Sequence, residues 1–256
     1  MAINLPVPLN KLAIPGLFLF LLLAYASTLT AQTVSEDSLL YQRAIDNAVA
    51  LYHKSIGNQS ALYNGSQYVP YSFKFKEGGH PFFFKDVFTK GSIIYDNVLY
   101  PDIQLLYDEV GDFIILKDSF HYTKLISQRI AGFSFLSNKF IRIEKDSLSR
   151  SLINTGFYNL LYAGKVLVLK KEVKTISEEA VSSSEGLLRS IQISHYYYIK
   201  KNNEYFPIRS KKSLLAVFKD QKNEIQQYIK NNNLNFRKDR DNMLAKVSAF
   251  YDQLIK

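Results

Sequence analysis

Hydrophobic spacing changes period twice along the chain. Between residues 32 and 57, Tyr41, Ile45, Ala48 and Tyr52 recur at i, i+4, i+7 and i+11, which predicts one amphipathic helix. Ser35 or Asp37 suits its N-cap and Gly57 its stop, and the apolar stripe implies packing on the sheet that follows. From about Leu62 to Ile208 the period falls to two, the spacing of half-buried strands. Helical spacing returns over residues 210–256, with Ser210 and Asp220 placed as caps and Leu244, Val247, Tyr251 and Leu254 on one stripe.

Within the strand region one short grammar recurs: apolar run, tight polar turn, apolar run. It is plainest in LLYDEVGDFIILK (105–117) and LLYAGKVLVLK (160–170), where the limited solutions to a hairpin explain the likeness better than duplication. Turns are expected at Asn64-Gly65, a favoured type I′ pair, and at Gly78-Gly79, Asp96-Asn97, Glu109–Asp112, Ser137–Lys139, Ala163-Gly164 and Asn202-Asn203. In the middle strand Leu99, Ile103, Leu105 and Tyr107 are expected on one face and Tyr100, Asp102, Gln104 and Asp108 on the other, with Pro101 marking an edge or bulge. Lys174–Ser190 breaks the rhythm, and its Ser/Glu content reads as a long surface loop, either a lid or a connection. No low-complexity linker separates strands from helices. The expected fold is α+β: an antiparallel sheet or partly closed barrel of successive hairpins, carrying one N-terminal and two or three C-terminal helices. Residues 32–256 form one domain in this reading.

Composition bends the picture toward β-structure and export. There are 18 Tyr, 18 Phe and no Trp, a set that favours pleated, half-buried surfaces. Lys11 precedes the apolar run LAIPGLFLFLLLAYA and small residues follow, the pattern of a signal peptide over residues 1–31, cleaved after Ala31 or Ala26. The total lack of cysteine removes disulfides, thiolate metal sites and cysteine nucleophiles, and suits the periplasm or surface of a Gram-negative bacterium. A membrane-spanning barrel fits poorly, because most strands are short and the last quarter is helical. The net charge of +9 is concentrated from Lys200 to Lys256, where thirteen Lys/Arg stand against six Asp/Glu. Export argues against nucleic acid, leaving a solvated helical face or peripheral contact with an anionic membrane.

Candidate chemistry is thin. His53, His80, His121 and His195 have no zinc-type spacing, and no nucleophile elbow, P-loop or dinucleotide fingerprint occurs, so no catalytic residue, metal or cofactor is assigned. Asp108, Glu109 and Asp112 lack a full calcium-loop pattern and read as a solvated hairpin turn. His80 stands beside glycines that let a ligand approach backbone, and Tyr100, Tyr196 and Tyr198 are candidates for aromatic contacts to a ligand.

The stretches YNGSQYVPY, GHPFF, GSIIYDNVLYPDIQLLYD and SKKSLLAVFKDQKNEIQQYIKNNNLNF resemble uncharacterised exported β-rich proteins of the Bacteroidota. The resemblance covers most of the chain beyond the signal. It implies localisation and architecture and carries no catalytic residue. The expected function is a non-enzymatic binding or interaction module of the cell envelope, its partner an envelope protein, a glycan or a hydrophobic ligand. The alternatives are a periplasmic carrier of a lipid-like ligand and a hydrolase whose site assembles only in the fold.

Overall fold

The computed structural model describes residues 35–56, 61–117, 121–145, 153–182 and 186–255. The expected signal peptide over residues 1–31 and the expected helix stop at Gly57 lie outside them, as do the side chains of Ser35, Asp37 and His53. The chain divides into two compact units, 1–47 and 48–256. Helix α1 (Ser35–Ile56) forms as the spacing requires, with Leu39, Leu40, Tyr41 and Leu51 exposed.

Eleven strands follow: β1 (Ser66–Gln67), β2 (Thr89–Tyr95), β3 (Val98–Asp108), β4 (Phe113–Lys117), β5 (Tyr122–Lys124), β6 (Ile130–Phe135), β7 (Asn138–Ile143), β8 (Gly156–Ala163), β9 (Leu167–Ser182), β10 (Gly186–Lys201) and β11 (Glu204–Pro207). All pair antiparallel in one open sheet of order β1-β5-β4-β3-β2-β6-β7-β8-β9-β10-β11. Three helices end the chain: α2 (Lys211–Val217), α3 (Lys222–Asn231) and α4 (Arg240–Leu254). They bury Leu214, Phe218, Ile225, Leu244, Val247 and Tyr251 against Val168, Tyr197 and Ile199 of β9 and β10.

The open strand order is nonetheless rolled. The β3–β4 turn reaches β9, although β2, β6, β7 and β8 lie between them in the sheet, and there Lys174 N–H donates to the Glu109 carbonyl at 3.4 Å and Lys171 Nζ to Asp112 Oδ2 at 2.7 Å. Residues 81–83 fill the seam, since Glu109 N–H donates to Pro81 and Phe83 N–H to Tyr107. Inside the roll, Phe83, Tyr107, Phe133, Phe135, Phe140 and Phe157 pack ring on ring, and Phe133 stacks on Phe140 at 4.6 Å. This aromatic core explains the Tyr/Phe-rich composition: rings bury much area and lose few rotamers.

Several local expectations are corrected. Within Lys174–Ser190 the described residues, 174–182 and 186–190, are strand and not loop. Ser177 pairs with Ser190 and Ile176 with Ile191, and Arg189 binds Glu178 at 2.6 Å, so cross-strand pairing outweighs the Ser/Glu composition. Asn64-Gly65 is not a type I′ turn, because neither residue has positive φ. Gly65 instead presses against the Lys124 carbonyl, a spot with no room for a Cβ. Asp96-Asn97 and Asn202-Asn203 do take left-handed φ of 50–64°, as type I′ hairpins demand. Between β6 and β7 the left-handed pair is Leu136-Ser137 rather than the polar residues after it. A bulge opposite Gly91–Ile93, with Asp102 at φ 55°, reverses the facing in β3, so Tyr100 is buried and Leu99 exposed. Asp220 caps no helix: it accepts from Lys201 Nζ at 2.8 Å and Tyr251 Oη at 2.7 Å.

Candidate functional site

Between β1 and β2 the chain runs through Tyr68–Phe88 with no long regular element, and its aromatic side chains wall a cleft of about 510 Å³. Tyr68 N–H donates to the Tyr122 carbonyl at 2.8 Å, which anchors this segment at the sheet edge. Tyr71, Phe73 and Phe75 meet edge-on at 5.2–5.7 Å, and Arg189 lies 4.2 Å over the Phe73 ring. Across from them Phe88 stacks on Tyr122 at 5.2 Å and His80 on Phe82 at 6.2 Å. The chain turns between the two sides at Gly78, whose φ of +69° is costly for a residue with a Cβ. Lys74 and Asp86 stand exposed at the mouth. A second hollow of about 580 Å³ shares Asp86 and Phe88 with the first and adds Val87, Gln104 and Lys117.

A buried carboxylate behind the wall holds Tyr71 in place. Asp108, fully buried, accepts from Val110 and Gly111 N–H at 2.9 and 2.8 Å and from Tyr71 Oη at 3.0 Å. Burial raises its pKa against the pull of those donors. The Tyr68 hydroxyl is buried with no hydrogen-bond partner, and its pKa rises to about 12 through burial and the Asp108 and Asp86 carboxylates. His80 Nδ1 is likewise buried without a partner of ordinary geometry. Burial, then the Lys174 charge, lower the His80 pKa, which keeps the imidazole neutral at neutral pH.

Of the four residues singled out in the sequence, only His80 lines this cleft. Tyr100 sits in the aromatic core, Tyr198 packs edge-on against Tyr158 at 5.8 Å, and Tyr196, half exposed, stands apart on β10. Tyr68, Tyr71, Phe73, Phe75, Phe88 and Tyr122 were missed as a group. Their only signal is the density of rings around Gly78-Gly79, which alternation disguises as a strand.

A second cluster lies at the seam. The Asp108–Asp112 turn, read from sequence as solvated, is buried at Asp108 and Glu109 because it packs into the roll. Lys174 Nζ donates to the carbonyls of Phe82 and His80 and lies 3.4 Å from Glu109 Oε2, which accepts no hydrogen bond. Burial and then the Glu172 carboxylate raise the Glu109 pKa to about 8, against the opposing Lys174 charge. The space beside this pair is about 10 Å³, room for a single water. Among the described residues no His, Asp and Glu group is arranged to hold a metal ion, and no helix is long and apolar enough to cross a membrane.

No family model, curated protein or solved structure matches the chain.

Proposed function

We propose that the chain is an exported, non-enzymatic binding module of the cell envelope whose ligand lies in the aromatic cleft of Tyr68–Phe88 and Tyr122. The observation that carries this reading is the cleft itself: about 510 Å³, walled by rings, with few and specific polar groups. Export rests on the Leu-rich N-terminal pattern. A carrier would enclose its ligand, whereas Lys74 and Asp86 leave this cleft open to solvent. The carboxylate pair Glu109 and Glu172, the best acid–base candidates, has space for one water and none for a substrate.

The test is native mass spectrometry of the protein purified from its own source, followed by organic extraction. A stoichiometric small ligand is expected in the wild type and absent from a Phe88→Ala/Tyr122→Ala variant that keeps its circular dichroism. A ligand retained undiminished by the variant would overturn the reading. So would a wild type that carries no ligand and gains none from an extract of its source cells.

A further inference from the structure

We infer that the free edge of β10 pairs with β10 of a second copy of this chain, so that two sheets continue into one across a two-fold axis at Gln192. The terminal strands of the sheet are guarded. β1 is only two residues long, and β11 is four residues long and ends in Pro207. Short strands and proline are ordinary protections of an edge. β10 is different: it runs for sixteen residues, and β11 covers only 198–201 of it. Residues 187–196 pair with β9 on one side and, among the described residues, with no backbone on the other.

The direction of the unused backbone groups follows from the last bond on that side, where the Tyr197 carbonyl accepts from Ile208 N–H at 2.8 Å. Residues two apart point the same way along a strand, and the β9–β10 register runs unbroken from Leu187 to Lys200. The N–H and C=O groups of Arg189, Ile191, Ile193 and His195 therefore all face outward, a row of donors and acceptors spaced for another strand. Nothing along 188–196 turns such a strand away: there is no proline, no lysine and no bulge, and Ile193 and Tyr196 stand half exposed.

The sequence selects the strand. LRSIQISHY (188–196) repeats its own chemistry in reverse about Gln192: Ile191 mirrors Ile193, Ser190 mirrors Ser194, Arg189 mirrors His195 and Leu188 mirrors Tyr196. Two copies paired antiparallel about that residue set apolar against apolar and hydroxyl against hydroxyl. Ile193 then meets Ile191 of the second copy, on the face where Gly79 already lies against Ile191. Arg189 comes opposite His195, and each already has a carboxylate: Arg189 binds Glu178 at 2.6 Å, and His195 Nδ1 lies 3.2 Å from Glu172. The ladder stops where the mirror symmetry stops. Past Tyr196 the next outward carbonyl is taken by Ile208. Before Leu188 the register breaks at Gly186–Leu187, and Gly186, at φ +72°, lets the hairpin tip bend aside. An unrelated extended peptide would use the same backbone groups and gain nothing from this symmetry.

Sedimentation equilibrium of the purified full chain over a range of concentrations should show monomer and dimer in exchange. The chain has no cysteine, so Gln192→Cys places one thiol per copy. Across the axis the two thiols form a non-hydrogen-bonded pair with Cα atoms about 4.5 Å apart, within reach of a disulfide. Mild oxidation should convert this variant to a covalent dimer and leave Ser177→Cys, exposed on β9, uncrosslinked. Gln192→Lys brings two like charges together and should weaken dimerisation at least about tenfold. Mixing it with Gln192→Glu should restore association, a rescue that no folding defect produces. A wild type that stays monomeric to about 100 µM would overturn the inference and leave the edge to a strand of another protein. A dimer that survives Gln192→Lys undiminished, with Gln192→Cys failing to crosslink, would overturn it too, because its interface would lie elsewhere.

Discussion

Glu109 carries the sharpest conflict between burial and charge among the described residues. Its carboxyl is removed from water, Glu172 faces it from β9, and the nearest cation, Lys174, directs its closest hydrogen bond to the Phe82 carbonyl. His195 Nδ1 engages Glu172 from the far side at 3.2 Å. The folded-state pKa therefore rises from an ordinary 4.5 to about 8, so the folded chain holds a proton that the unfolded chain has released across that window. The sign follows: this contribution to stability is fully present below the unfolded value and is lost as pH climbs from about 4.5 through about 8. Urea unfolding at a series of pH values should show the wild type losing on the order of 4–5 kcal/mol over that range, about 1.4 kcal/mol for each unit of difference. Glu109→Gln, neutral throughout, should flatten the profile and be the more stable protein at alkaline pH. A variant whose slope matches the wild type would place the titration on another group.

At the scale of elements, α2 shows how a short helix survives. Seven residues are too few to be stable alone, and the Ser210 side chain accepts from Ser213 N–H while Ser213 Oγ accepts from Ser210 N–H. Ser210→Ala should cost about 1 kcal/mol in urea unfolding, and an unchanged midpoint would mean that burial of Leu214 and Phe218 alone holds the helix. Ser210 was legible in the sequence because capping is a local property. The same holds for the positions of the turns at Asp96-Asn97 and Asn202-Asn203, for the antiparallel hairpins and for the Leu244–Tyr251 stripe. What escaped was whatever depends on distant partners. The Ser/Glu run after Lys174 becomes strand because β10 pairs with it, and the acidic turn is buried because the sheet rolls over it. Tyr100 turned inward through a bulge that Pro101 hinted at without fixing its parity. The cleft was the least legible feature. Its rings come from an irregular segment and from Tyr122, and only His80, flagged by its neighbouring glycines, belonged to it.

Across the 48–256 unit, the decisive link is Asp112, which joins parts of the sheet that strand order alone keeps apart. Its Oδ1 accepts from Tyr107 Oη at 2.7 Å, and its Oδ2 accepts from Lys171 Nζ at 2.7 Å and from Phe157 N–H at 3.4 Å. One carboxylate thus ties the β3–β4 turn to β8 and β9. Gly156 makes the approach possible, since a Cβ there would run into both the Lys171 ammonium and the Asp112 carboxylate. The same turn carries Asp108, which holds Tyr71 in the cleft wall, so closure of the roll and shape of the cleft share one support. Asp112→Ala leaves the Lys171 charge and the Tyr107 hydroxyl without their acceptor and should cost about 2–4 kcal/mol. Asp112→Asn keeps an acceptor for Tyr107 and should cost less. The measurement is the urea midpoint with the slope compared between variants, because lost stability at unchanged compactness lowers the midpoint at constant slope, whereas a looser roll lowers the slope as well. If Asp112→Ala matches the wild type, the roll is held by its aromatic core alone, through Phe83, Tyr107 and Phe157. If it falls as expected, its affinity for the cleft's ligand should fall with it, although Asp112 lines neither hollow, because the turn that fixes Tyr71 has lost its anchor.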